Sequence, residues 1–234
     1  MKFSIVIPCY NEEENLKKLV SKIEKVAKKY DLEFILVENG SKDNSRKIFE
    51  SIPEINQKEI KSVYVDENCG YGYGLLQGLK CATGDFVGWI HADLQVDLKY
   101  ICGFMDLINC NSIVPSKVFL KGKRTNRKMI DIIFTACMSV FETLLFRKHL
   151  YDIGAIPVLF SRDLLGYLKN APYDFSIELF TYYQAKKNNF RIIRKKVVLK
   201  RREKGKSSWD TGFSSKIKQS IRIIKASILI WKQK

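Results

Sequence analysis

Four short stretches of this 234-residue chain gather side chains able to do chemistry: Pro8-Cys9-Tyr10-Asn11-Glu12, Glu38-Asn39-Gly40-Ser41-Lys42-Asp43, Asn68-Cys69-Gly70-Tyr71-Gly72-Tyr73-Gly74 and His91-Ala92-Asp93-Leu94-Gln95. Asp93 follows the apolar run Phe86-Val87-Gly88-Trp89-Ile90. A carboxylate there is costly to bury unless it is paired or bound to a metal. His91 and Gln95 flank it at spacings of two, so one extended turn could direct all three side chains to one ion. A hard divalent cation bridging a diphosphate would neutralise a leaving group. A helix cap or a strand-end ion pair is the plainer role for Asp93. Gly70, Gly72 and Gly74 spell GxGxG, and Gln77 breaks the GxGxxG pattern of a dinucleotide site. Free amides at the next helix start could attract a diphosphate, or the glycines could simply make a flexible turn.

Regular elements must hold these stretches. Short apolar runs at residues 3–7, 33–37, 62–66 and 86–90 read as buried strands. Between them, residues 12–30 carry Leu16, Leu19, Val20, Ile23, Val26, Ala27 and Tyr30 at helical spacing. Asp43 could cap a helix to about residue 52, and residues 70–82 form a glycine-led helix. Alternating strands and helices predict an α/β fold with a mostly parallel central sheet flanked by helices. Ligands of such sheets bind at the carboxyl ends of the strands, which is where all four stretches fall. The second half is less regular. Residues 97–109 read as a helix, 112–116 as a strand, 117–128 as a basic polar loop and 128–148 as an amphipathic helix; a strand at 155–160, a helix at 175–188 and strands within 190–201 follow.

Composition narrows the partners. The net charge of +16, from 41 basic and 25 acidic side chains, favours an anionic partner or a lysine-rich surface. The basic residues are spread along the chain and no nucleic-acid-binding motif is present, so nucleic acid is not an expected partner. Six scattered cysteines without CxxC spacing and only two histidines exclude a zinc ribbon and fit a reducing cytoplasm. The N-terminal apolar run is too short for a signal peptide. Residues 129–146 contain Asp131 and Glu142, and they read as a core helix rather than a membrane span. In the tail, Ile217, Ile221, Ile224, Ile228 and Trp231 share a helix face bordered by Lys216, Lys218, Arg222, Lys225, Lys232 and Lys234. Such a helix can lie on an anionic membrane or pack on its own domain.

In this order the motifs resemble those of the family 2 glycosyltransferases, of GT-A fold, in the dolichol- or polyprenyl-phosphate mannose synthase-like branch. Ile5 to Glu12 resembles the family's IVIPxYNE, Val37 to Ser45 its VDDGSxDxT, Asn68 to Gly84 its NxGxGxAxxxGxxxAxG and His91 to Gln95 its DADLQ. Asp152-Ile153-Gly154-Ala155 and Arg202 to Ser207 resemble its later D..SG and RxxGxS. The resemblance covers residues 3–210. It implies a GT-A domain over 1–210, with a nucleotide-binding half (1–95) and an acceptor half (96–210), followed by a basic amphipathic helix at 211–234.

By that resemblance Pro8, Tyr10 and Glu12 lie beside the nucleotide, Glu38 and Asn39 hold the base and ribose, and Gly70 and Gly72 join the donor site. Asp93, with His91 and Gln95, binds Mn²⁺ or Mg²⁺ and the donor diphosphate. Lys117, at the usual arginine position, faces phosphates with Arg127 and Arg202, and Ser207 closes the site. Glu178 matches a carboxylate below the acceptor, and with Asp174 it is the candidate base for a hydroxyl acceptor. A polyprenyl phosphate acceptor needs no strong base. The implied enzyme is an inverting hexosyltransferase, peripheral at the cytoplasmic membrane face, using a nucleotide-sugar donor and a polyprenyl-phosphate-type lipid. Transfer to a glycan hydroxyl is the alternative, and an inactive nucleotide-sugar-binding protein is another. The sequence departs from the family pattern at His91 for Asp, at Glu38-Asn39 for Asp-Asp, and at the apolar Ala155-Ile156-Pro157-Val158. Imidazole at position 91 favours Mn²⁺ over Mg²⁺.

Overall fold

A computed structural model describes residues 1–52, 60–110, 116–200 and 213–232, the last of these without the side chains of 213–219. Strand β1 (Phe3–Cys9) is apolar almost throughout because helices cover both of its faces. Helix α1 (Glu13–Ala27) buries Leu16, Leu19 and Ile23 against the sheet and returns the chain to β2 (Leu32–Asn39). Next come α2 (Ser45–Glu50), β3 (Ile60–Val65), α3 (Tyr71–Cys81) and β4 (Phe86–Trp89). The alternation is the one expected from the apolar runs.

The second half adds α4 (Lys99–Asn109), β5 (Val118–Thr125), α5 (Met129–Phe146), β6 (Val158–Ser161), a 3-10 helix (Arg162–Tyr167), α6 (Ile177–Lys187), β7 (Arg191–Val198) and α7 (Phe213–Lys232). The seven strands form one sheet in the order β3-β2-β1-β4-β6-β5-β7. Strand β6 runs antiparallel to β4 and β5, and the remaining pairs are parallel. Strand order reverses at β1, whose neighbours are β2 and β4, so the crevice of this sheet opens above the ends of β1, β2 and β4.

Two expectations are corrected. The basic stretch 117–128 is mostly strand β5, because Val118-Phe119-Leu120 enter the core and the charge of Lys121 is neutralised inside it. The expected core helix, α5, lies mostly on the surface. Only Ser139, Glu142 and Phe146 are buried, while Met129, Val140 and Leu144 are 71%, 60% and 74% exposed. Its 18 residues have a mean hydropathy of 1.8, long and apolar enough by length and composition to cross a membrane. Both of its ends are nevertheless tied to the same domain. Arg127 bonds Thr135 at 2.8 Å, and Thr143 bonds the backbone of Leu150. Helix α7 packs on α5, where Ser227 donates to Glu142, buries Ile230, and leaves Ile221, Ile228 and Trp231 exposed. The strand expected at 112–116 lies almost wholly outside the described residues.

Candidate active site

The carboxyl ends of β1 and β2 are laced together. The Asn11 amide donates to Ser41 Oγ and the Lys42 amide to Asn11 Oδ1, while the Glu12 and Glu13 amides donate to Ser45 Oγ and Asp43 Oδ2. Polar side chains replace the hydrogen bonds that the sheet no longer supplies. Tyr10 is left 40% exposed at the rim, beside Pro8, and Glu12 accepts from Asn15 at 2.7 Å. Glu38 and Asn39 are buried at the end of β2. One Glu38 oxygen accepts the Ser41 amide at 2.7 Å, and Asn39 Nδ2 donates to the Gly70 carbonyl at 3.2 Å. Glu38 Oε2 and Asn39 Oδ1 are buried without a hydrogen bond among the described residues. Arg46 Nη1 stands 3.9 Å from Glu38 Oε2, and the Asn39 side chain packs against Gly74 of α3.

The glycine loop does a different job from the one its pattern predicts. A Cβ on Gly70 or Gly72 would strike the backbone of Pro172–Asp174, and Gly70 has φ +113°. The Tyr73 amide donates to the Tyr173 carbonyl at 3.0 Å. Gly70 and Gly72 therefore admit a segment of the second half against the start of α3, which takes up an amide that a diphosphate would otherwise use.

Asp93 sits nearly buried in the turn after β4, accepting the Gln95 amide at 3.0 Å. The Gln95 side chain donates to the Lys200 carbonyl at 3.1 Å, and His91 Nε2 lies 3.1 Å from the Tyr71 hydroxyl. The expected His91-Asp93-Gln95 trio is thus spread over three partners. Among the described residues no three His, Cys, Asp or Glu side chains converge on a cation position. The donor set fits Mn²⁺ or Mg²⁺ in one way: a cation arriving with a diphosphate needs only one or two protein carboxylates, and Asp93 would supply one.

Below His91 lies a network that the sequence does not announce. Glu178, at the start of α6, is buried, not an exposed helix carboxylate. One oxygen accepts Trp89 Nε1 at 2.7 Å and the Tyr71 hydroxyl at 3.1 Å; the other pairs with Lys121 Nζ at 3.3 Å. Burial lowers the Lys121 amine to about 8 against the pull of Glu178. Partial burial and the Glu178 charge push the Tyr71 phenol well above its ordinary value, so it remains a donor. Asp174, the other candidate base, accepts the Ser176 amide at 2.9 Å and the Ser176 hydroxyl, and is exposed.

Farther along the same sheet edge, Asp152 is buried among three arginines. Arg124 Nε lies at 2.7 Å, Arg194 Nη2 at 3.6 Å and Arg127 Nη1 at 3.7 Å. Burial alone would raise the Asp152 carboxyl, but the charge and hydrogen bonds of Arg124, with the charge of Arg194, hold it below its ordinary value. With Asp131 also acting on Arg127, three guanidinium groups stand against two carboxylates, and Arg194 and Arg127 donate as well to the carbonyls of Tyr151, Gly122 and Asp131.

Lys117 does not reach this group. It precedes β5 at the end level with Ser161 and Phe86, whereas Lys121 is level with Val158 and Trp89 at the carboxyl edge. The arginines Arg124, Arg127 and Arg194 gather instead around Asp152, near the carboxyl edge. Arg202 and Ser207 lie outside the described residues. Tyr71, Trp89, Lys121, Arg124, Asp152 and Arg194 were not among the expected site residues, although all but Arg194 stood in stretches singled out or quoted above.

The comparisons with known proteins follow this geometry. The family profile described as Glycosyl transferase family 2 matches residues 4–166. An undecaprenyl-phosphate 4-deoxy-4-formamido-L-arabinose transferase of Proteus mirabilis is 38% identical over 96 residues, which are 40% of this chain and 29% of that protein. Its counterpart in Pseudomonas fluorescens strain Pf-5 is 35% identical over 94 residues, 39% of this chain and 28% of that protein. The aligned stretch thus spans under a third of the length of these relatives. Glucosyl-3-phosphoglycerate synthase of Mycobacterium tuberculosis, solved with Mn²⁺, UDP and its product, superposes with a TM-score of 0.70 at 16% identity, over 98% of this chain and 79% of that one. That likeness shows a shared fold, the GT-A type.

Proposed function

Because the chain belongs to glycosyltransferase family 2, we propose that it moves a hexose from a nucleotide-sugar donor to a polyprenyl-phosphate-type lipid at a membrane surface. The observation that carries this reading is the Arg124-Arg127-Arg194 cluster around Asp152, placed where the exposed apolar helix α5 begins. A phosphate head held by arginines and a hydrocarbon chain laid along α5 need these two features side by side. The curated relatives are named for transfer to undecaprenyl phosphate, which supports the same acceptor class.

The donor nucleotide belongs in the crevice over β1, β2 and β4. Buried Glu38 and Asn39 close the end of β2 under its base and ribose, with Tyr10 at the rim. Asp93 would hold a divalent cation arriving with the donor, and that cation would neutralise the departing diphosphate. The acceptor phosphate oxygen attacks C1 from the face opposite the diphosphate. The C1–O bond to the acceptor forms, the C1–O bond to the diphosphate breaks, and the nucleoside diphosphate leaves with the electron pair. The anomeric centre inverts.

This displacement needs no proton acceptor, and Glu178 supports that choice. Its oxygens are filled by Trp89, Tyr71 and Lys121, so it is a support beneath the site rather than a base for a hydroxyl. The exposed faces of α5 and α7, with Arg222, Lys225 and Lys232 beside them, suit contact with an anionic bilayer. Both termini of α5 return to the domain, which favours a helix lying in the interface over one crossing it. Free exposed thiols at Cys69, Cys81, Cys110 and Cys137 accord with a cytoplasmic face.

A panel of nucleotide sugars offered with undecaprenyl phosphate and Mn²⁺ or Mg²⁺ tests the reading. Metal-dependent release of nucleoside diphosphate from one donor, abolished by Asp93→Ala, is expected. Absence of release from every donor by folded protein would overturn it.

A further inference from the structure

The His91 ring, just past the end of β4, is held by Tyr71 of α3. Tyr71 lies edge-on to it, with ring centroids 5.4 Å apart and an interplanar angle of 83°, and the Tyr71 hydroxyl is 3.1 Å from His91 Nε2. Tyr71 is itself stacked on Phe175 at 4.3 Å and 2°. Its hydroxyl carries a single proton, and Glu178 Oε1 stands 3.1 Å away. A carboxylate paired with an ammonium accepts only, so the Tyr71 proton points at Glu178. Trp89 Nε1 also donates to that oxygen, which fixes the carboxylate's orientation. The Tyr71 oxygen is then left as an acceptor toward His91, and Nε2 must carry the proton between them.

We propose that Tyr71 is a positioning residue that, backed by Glu178, Trp89 and Lys121, holds His91 as its Nε2–H tautomer and leaves Nδ1 as the ring's lone pair for a borderline divalent cation on the donor diphosphate. The tautomer follows from the direction of the hydrogen bonds alone; the cation's role rests on the transferase reading. A ligand histidine commonly has its second nitrogen fixed by such a partner, and loss of that partner typically costs about 10–100-fold in metal affinity. An imidazole ligand suits Mn²⁺ better than Mg²⁺, which prefers oxygen. A histidine where the family pattern has an aspartate is then a change of metal preference with its own supporting relay, rather than the loss of a site.

The chain has two histidines, His91 and His149, so nitrogen NMR of histidine-labelled protein resolves them, with His149→Gln giving the assignment. His91 is expected as Nε2–H in its neutral ring. In Tyr71→Phe, which keeps the stack on Phe175, this preference is expected to vanish. An Nδ1–H signal in the wild type, or an unchanged signal in Tyr71→Phe, overturns the relay. Titration of Mn²⁺ in the presence of UDP is expected to broaden the His91 ring signals, and Tyr71→Phe is expected to weaken Mn²⁺ binding about 10–100-fold while barely altering Mg²⁺ binding. Equal losses for both ions, or none, overturn the metal assignment. Failure of the transferase reading itself would show as absent turnover with the tautomer intact, so the two failures are distinct.

Discussion

Lys121 on β5 and Glu178 on α6 stand 57 residues apart and meet at 3.3 Å, both sealed from solvent. Each charge is tolerable only because of the other, and the carboxylate carries Trp89 and Tyr71 as well. Removing one partner of such a pair leaves an uncompensated buried charge, which costs about 3–5 kcal/mol. Lys121→Met should therefore lower the unfolding free energy by that order in denaturant titrations. Lys121→Met combined with Glu178→Gln should be more stable than Lys121→Met alone, because the amide keeps an acceptor for Trp89 and Tyr71 without a charge. A double variant no more stable than the single one would contradict the account of this pair.

The two ends of the sheet make opposite predictions for two basic residues. Lys117 lies at the far end, so Lys117→Ala should leave the KM for the lipid phosphate unchanged. Arg127 stands in the Asp152 cluster, and losing a hydrogen bond to a charged group costs about 1.5–3 kcal/mol. Arg127→Ala should raise the acceptor KM about 10–100-fold, with the donor KM barely altered. Steady-state kinetics with each substrate varied in turn checks both.

Glu142 gives the seam between α5 and α7 a pH dependence. Burial raises its carboxyl from 4.5 to about 8, opposed by a bond from Ser227. Between those two values the unfolded chain has released a proton that the folded chain keeps, so stability falls as pH rises through the window and levels off above it. Glu142→Gln should match the wild type at the acid end and exceed it increasingly toward about pH 8. Melting temperatures of both proteins across that range test this; a gap that does not change with pH would count against it.

The open face of α5 should act on membrane binding rather than on folding. Leu144 is 74% exposed, so Leu144→Glu should leave the melting temperature nearly unchanged. A leucine taken from water to an apolar phase is worth about 1.5–3 kcal/mol. Sedimentation with anionic vesicles should show binding weakened by about tenfold or more.

The first half of the fold was legible because β1, β2 and β4 are apolar runs and α1 has clean helical spacing, each a local signal. The same locality explains the failures. Strand β5 reads as a loop since Lys121, Lys123 and Arg124 dominate its composition, and the partner that lets Lys121 enter the core is on α6. Helix α5 reads as core because periodicity shows an apolar face but not what covers it. Gly70 and Gly72 read either as a diphosphate-attracting helix start or as a flexible turn, and the close approach of residues 172–174 to both is a long-range event that no local signal announces. Asp93, His91, Glu38 and Asn39 stand at the strand ends, as the apolar runs before them predict. Tyr71, Trp89, Lys121 and Arg194 were not legible, because a tyrosine or tryptophan in an apolar setting and a lysine in a basic run carry no sign of the bond they make.

The central claim is a phosphate acceptor, and the most direct measurement compares undecaprenyl phosphate with the corresponding free polyprenol, each offered with the productive nucleotide sugar. The account predicts a sugar-phospholipid product from the phosphate and none from the alcohol, without loss of transfer in a Glu178→Gln variant that remains folded. Equal transfer to the alcohol, or to a glycan hydroxyl in preference to the lipid phosphate, would contradict it.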